Sequence, residues 1–157
     1  AGRRIAGHLP RMWCAVMQTS RIVISSRSIN TGRRMMKKDE SRMQVKDLVE
    51  KFGLSVAAGE KGLDRSVKGG YCGDLLSEVM ANAPIGCAWL TIQVHQNIVA
   101  VAVLREVAAI VLTGGNTPDE GTRCRADEEG IPVLVTSLDA FSMAGKFYAA
   151  GIVNEPA

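Results

Sequence analysis

Three stretches of this sequence gather groups able to hold a ligand. His95-Gln96-Asn97 sets an imidazole and two carboxamides in a row, a combination that both donates and accepts hydrogen bonds. Thr113-Gly114-Gly115 joins a hydroxyl to two glycines, whose lack of a Cβ frees the backbone to approach a bound group. The loop 59–70 carries Lys61, Arg65 and Lys68 among its glycines, with Asp64 beside Arg65 and Gly69-Gly70 at its end. Charge and backbone N–H groups together suit such a loop to an anion. Each stretch has a plainer reading: a hydrogen-bonded structural histidine, a tight Gly-Gly turn, and a solvated loop in which Asp64 pairs with Arg65. Asp119 and Glu120 argue against a phosphate seated directly on the helix that follows Gly115.

Signatures of turnover are missing. There is no G-x-x-x-x-G-K-[ST]; the single Gly-Lys pair, Gly145-Lys146, is followed by Phe147 and falls inside a helical segment. His95 is the one histidine of residues 43–157, so a nucleophile-base pair would have to use it alone. No catalytic residue is assigned, and binding fits the inventory better than turnover. Cys14, Cys72, Cys87 and Cys124 form no C-x-x-C pair and are not grouped with His8 or His95, so zinc-ligand spacing is absent. The expectation is reduced, mostly buried cysteines in a cytoplasmic protein, with no metal and no resident cofactor.

The elements that must position these residues begin at Met43. Val45, Leu48, Val49 and Phe52 share one helical face, and Gly53 follows as a left-handed cap. Leu54–Ala58 is expected as an edge strand. Asp74 is expected to cap a helix carrying Leu75, Leu76, Val79 and Met80. Cys87–Val94, Ala109–Leu112 and Ile131–Val135 read as buried strands, and Ile98–Val107 as the helix between the first two. Pro118 suits the first turn of a helix ending at Gly130, and Ser137 suits the cap of a last helix that runs through Phe141, Met143 and Tyr148 to Gly151. Continuously apolar strands separated by helices predict an α/β fold in three layers, a mostly parallel sheet with helices on both faces.

Composition places the boundary. The net charge of +3 combines ten Lys/Arg against two acids in residues 1–42 with nine against fourteen in residues 43–157, local balances of +8 and −5. The basic head shows no sustained period, so two regions are expected: a disordered basic head over 1–42 that is not part of the fold, and a folded domain over 43–157. Five of the seven methionines lie at or before position 43, which points to a native start at Met43, or else Met35 or Met36. The other reading of the head is an arm that touches nucleic acid or an acidic surface. The acidic domain itself is not expected to bind nucleic acid. The longest apolar run, Ile98–Leu104, is seven residues against the roughly 20 that cross a bilayer, so no membrane partner is expected.

Residues 43–157 resemble the DRTGG domain family. Asp64-Arg65 and Thr113-Gly114-Gly115 match its name, and Val67–Ser77, Gln93–Ala102 and Gly130–Leu134 are similar to its segments. The resemblance implies a fold like the N-terminal domain of HPr kinase/phosphorylase without the kinase half. It also implies a regulatory role, since such domains accompany CBS domains that respond to adenine nucleotides, a tendency to form homodimers, and partners among redox or carbon-metabolism enzymes. The resulting expectation is a non-catalytic domain that binds an adenine nucleotide or similar anion through Thr113, Gly114, Gly115, His95, Gln96 and Asn97, with Asp64, Arg65, Gly69 and Gly70. Two alternatives stand beside it: an interaction or dimerisation module without ligand, and an enzyme using His95.

Overall fold

A computed structural model describes residues 43–154; the expectations for residues 1–42 fall outside them. The chain opens with α1 (Val45–Phe52) and β1 (Ser55–Ala58), then makes a single 3-10 turn at Glu60–Gly62. Strands and helices alternate from there: β2 (Gly69–Cys72), α2 (Leu76–Asn82), β3 (Cys87–Thr91), α3 (Asn97–Leu104), β4 (Ala109–Leu112), α4 (Glu120–Glu129), β5 (Val133–Val135) and α5 (Ala140–Ala149). They form one sheet in the order β1-β5-β4-β3-β2, with β2 to β5 parallel and β1 antiparallel along the outer edge of β5. The expected α/β class, with a mostly parallel sheet between helical layers, is the one observed.

The burial pattern explains why the strands lack alternation. Every residue of β3 and β4 is buried, because helices cover both faces of the sheet. On one face Trp89, Ile110, Leu112 and Val133 pack against Val79 of α2, Ile98, Val99 and Ala102 of α3, and Ala126 of α4. On the other, Ala88, Leu90, Val111 and Leu134 meet Val45 and Leu48 of α1 and Met143 and Phe147 of α5. Phe52 and Phe147 tie those last two helices together, with ring centroids 5.1 Å apart and planes inclined at 52°. The strands β2 to β5 are laid down in one direction, so α2, α3 and α4 all return on the same face, as a constant crossover hand requires.

Several local expectations change. β2 is a strand that the sequence reading leaves inside a loop, because Gly69 and Gly70 carry no β-forming side chain. Its edge admits Asn154, whose Oδ1 accepts from Gly70 N–H at 3.1 Å and fills the space a Cβ on Gly69 would need. Asp74 does not cap α2; Leu75 stands at that position. Pro118 precedes α4 rather than entering it, and the cap is Asp119, accepting from Thr122 N–H at 2.7 Å. Asp139, not Ser137, caps α5, and Phe141 and Tyr148 turn outward from that helix. Of the described cysteines only Cys87 is buried, and desolvation pushes its thiol pKa up to about 11; Cys72 and Cys124 are exposed.

Candidate functional site

Parallel strands put all their carboxyl ends on one edge, and the register sets Thr91, Leu112 and Val135 side by side there. The loops that leave these residues hold six of the ten nominated positions. His95, Gln96 and Asn97 are exposed at the β3–α3 turn. The backbone beneath them is anchored: Val94 carbonyl accepts from the Thr122 hydroxyl at 2.7 Å and from Asp119 N–H at 3.4 Å, which ties this loop to the first turn of α4. Gln96 reaches the same turn, its Oε1 lying 3.7 Å from where a Cβ of Gly121 would be.

Thr113-Gly114-Gly115 performs a different task from the one its composition suggests. The Thr113 side chain is wholly buried, and its hydroxyl donates to Thr91 carbonyl at 3.4 Å rather than toward a ligand. Gly114 and Gly115 take φ of +72° and +75°, which directs Gly114 N–H to Leu138 carbonyl at 2.7 Å and Gly115 N–H to Thr136 carbonyl at 2.9 Å. Both donors are thereby taken up in a clasp between the β4 and β5 loops. The missing Cβ atoms do bring the backbone into close approach, but onto the neighbouring strand end, so these two N–H groups are taken up within the protein as in the plainer reading of a tight turn.

The remaining nominated residues lie elsewhere. The loop 59–68 runs along the amino edge of the parallel strands, where Gly59 and Gly62 pack against Ile131, Pro132 and Gly130 just before β5. Asp64 pairs with Lys46 of α1 at 2.8 Å rather than with Arg65, and this hydrogen bond and charge raise the pKa of Lys46. Arg65 instead donates from Nη1 to Gly130 carbonyl at 3.3 Å, closing the end of α4. Gly69 and Gly70 open β2 on the same side. The structure therefore gathers His95, Gln96, Asn97 and the Thr113–Gly115 clasp, and separates them from Asp64, Arg65, Gly69 and Gly70.

Three residues that sequence reasoning missed shape the carboxyl edge. Asp74 accepts from the Thr91 hydroxyl at 2.7 Å and from Ile92 N–H at 2.9 Å, fixing the exit of β3. Trp89 donates from Nε1 to Gly73 carbonyl at 2.8 Å and so holds the residue before Asp74. Arg123 donates from Nε to Pro118 carbonyl at 3.3 Å, which keeps a guanidinium beside the start of α4. A basic residue one turn inside a helix that follows a strand's carboxyl end is the sequence signal that would have found it. Asp119 is held below the ordinary carboxylate range by hydrogen bonds from the Thr122 side chain and backbone N–H, with His95 nearby adding a smaller contribution. The Thr122 hydroxyl has one proton and lies 2.7 Å from Val94 carbonyl, so the backbone N–H is the constant donor to Asp119. Among the described residues no group of three or more His, Cys, Asp and Glu side chains is arranged to hold a metal. No described helix is long and apolar enough to cross a membrane.

The family model of the DRTGG domain matches residues 91–149, a span that opens at Thr91 and contains the His95 loop, the Thr113–Gly115 clasp and α4. Asp64 and Arg65 lie outside it. Among solved structures, the chain is similar to the CBS and DRTGG domains of the regulatory region of Clostridium perfringens pyrophosphatase, complexed with the activator diadenosine tetraphosphate. Identity is 16% and the TM-score 0.53; the similarity covers 70% of this chain and 47% of that one, so this chain accounts for about half of its length. No curated protein matches.

Proposed function

We propose that this domain is a non-catalytic regulatory module that senses a small anionic ligand of the adenine-nucleotide class and acts through a partner enzyme in energy or carbon metabolism. The observation that carries the reading is the β3–α3 loop, where three exposed polar side chains stand on a backbone fastened to α4 through Val94. A fixed platform under adjustable hydrogen-bonding groups suits reversible binding, because the backbone is ordered before the ligand arrives. Arg123 supplies positive charge to a phosphate and His95 a ring N–H donor, while Gln96 and Asn97 offer the paired donors and acceptors that a base edge takes. Asp119 occupies the N-terminus of α4 and keeps an anion off the helix axis, which leaves the flank toward Arg123 as the place for phosphate. The nucleotide class is chosen because the similar regulatory region is complexed with diadenosine tetraphosphate.

A second reading, an interaction module without ligand, is favoured by the closure of the Gly114 and Gly115 N–H groups within the loops. A thermal-shift screen with AMP, ADP, ATP and diadenosine tetraphosphate separates the two. A nucleotide present at 100 times its dissociation constant stabilises the fold by about 2.7 kcal/mol. His95→Ala and Arg123→Ala should each reduce that shift without changing the melting temperature of the free protein. A folded protein that responds to none of the four would leave the interaction module standing.

A further inference from the structure

A groove of about 350 Å³ opens at the outer edge of the sheet, between β1 and the end of α4. That volume lies within the range of small-molecule pockets. Its apolar side is the β1 segment of half-buried Val56 and Ala57 with buried Ala58, and its exposed rim carries Glu60 and Lys61 of the 3-10 turn and Asp127 of α4. The groove is remote from the His95 loop in the chain's architecture, so it stands independently of the nucleotide reading above.

The rim is held in place before any ligand arrives. Gly59 N–H donates to Asp127 Oδ1 at 2.6 Å, which fastens the turn to α4 and leaves the second carboxylate oxygen for a partner. The same glycine is packed against the Ile131 carbonyl on its other side, so the turn that presents Glu60 and Lys61 is gripped from two directions. The ion pairs among the described residues are Lys46–Asp64 and Arg125–Glu129, and neither uses a charge of this rim.

Two carboxylates and one ammonium around an apolar strip turn away the plainer ligands. An anion meets two like charges, a polyamine meets Lys61, and a metal ion finds no third His, Cys, Asp or Glu among the described residues. A molecule with an ammonium and a carboxylate on one carbon, and an apolar substituent on the same carbon, answers all three features at once. We propose that the groove between β1 and α4 binds an α-amino acid as its zwitterion, with the ammonium held by Asp127 and Glu60, the carboxylate by Lys61, and an apolar side chain laid on Val56 and Ala57. The fastened turn lowers the ordering cost of such binding.

The test follows the backbone amide resonances of the isotope-labelled full chain during titration with L-leucine, L-leucinamide and N-acetyl-L-leucine. L-leucine shifts residues 56–61 and 127. The amide lacks the carboxylate and the acetyl derivative lacks the ammonium, so each binds about tenfold or more weakly than L-leucine, as the loss of one charge-assisted contact requires. Lys61→Met removes the preference for L-leucine over L-leucinamide. Asp127→Asn keeps an oxygen to accept from Gly59 N–H, and so keeps the turn in place, while weakening L-leucine by a similar factor. Amides of the groove that stay unmoved at tens of millimolar L-leucine would overturn the proposal. So would wild-type shifts that L-leucinamide or N-acetyl-L-leucine reproduces at equal concentration, or L-leucine binding that Lys61→Met and Asp127→Asn both leave unchanged.

Discussion

Two glycine-bearing loops sit at opposite edges of the same sheet, and their glycines serve opposite purposes. At the amino edge Gly59 and Gly62 are packed against backbone, Gly59 with a left-handed φ of +74° as well. A Cβ on Gly59 would run into the Ile131 backbone, and one on Gly62 into Gly130 carbonyl and the Pro132 ring. At the carboxyl edge Gly114 and Gly115 are conformational residues, with positive φ and open space above them: nothing lies within 4 Å of a Cβ on Gly115, and only Asn116 Nδ2, at 3.4 Å, near one on Gly114. Composition cannot separate these cases. The difference teaches that a glycine-rich loop marks a candidate site only where its missing side chains face room for a ligand, and the amino edge has already filled that room with its own backbone.

The largest effect expected from this contrast is at the amino edge. Gly59→Ala combines a left-handed backbone with a clash against the main chain at Ile131, and should destabilise the fold by roughly 3 kcal/mol or more in urea denaturation. A stable Gly59→Ala protein would break the comparison. At the carboxyl edge Asp74→Ala removes two hydrogen bonds and leaves the proton of the buried Thr91 hydroxyl without its acceptor, with Gln93 N–H as the hydroxyl's remaining partner, which should cost about 1–2 kcal/mol by the same measurement. Gly115→Ala meets no atoms and carries only the strain of its φ, so a loss of about 1 kcal/mol sharpens the contrast with Gly59.

The smallest effect is electrostatic. Asp119 and Asp139 both have lowered pKa values, each from hydrogen bonds to the helix start it caps, Thr122 for the first and Ser142 for the second. A carboxylate whose folded pKa is depressed contributes stability that is fully present above its unfolded pKa, about 3.9, and disappears as pH falls through the folded value. The melting temperature should therefore drop on acidification below roughly pH 4. Asp119→Asn should lower stability at neutral pH and flatten part of that acid limb. An acid limb that Asp119→Asn leaves unchanged would remove the carboxylate from the account of how α4 starts.

Much of the fold was legible from residue pattern. The apolar runs at Cys87–Val94 and Ala109–Leu112 read as buried strands, the first of which ends at Thr91, and Gly53 and Gly130 marked the ends of α1 and α4 through their left-handed φ. β2 was not legible, since a strand beginning Gly-Gly has no pattern of its own and is specified by pairing with β3. The caps of α2, α4 and α5 were misplaced by one or two residues, because Asp74 turns to Thr91 instead of α2, while Pro118 beside Asp119 and Ser137 near Asp139 offer more than one start and only geometry selects among them. The site divided in the same way. His95, Gln96 and Asn97 follow a strand's carboxyl end and are recognisable from that alone. Asp64 and Arg65 match a family name by composition, yet they face Lys46 and Gly130 at the far edge.

The most direct test of a ligand site at the carboxyl edge is to follow the backbone amide resonances of the isotope-labelled protein as the nucleotide found in the thermal screen is added. The account predicts shifts confined to residues 92–97 and 113–123, with residues 59–70 unmoved. Shifts centred on Lys61, Arg65 and Lys68, with His95 and its neighbours unmoved, would contradict it.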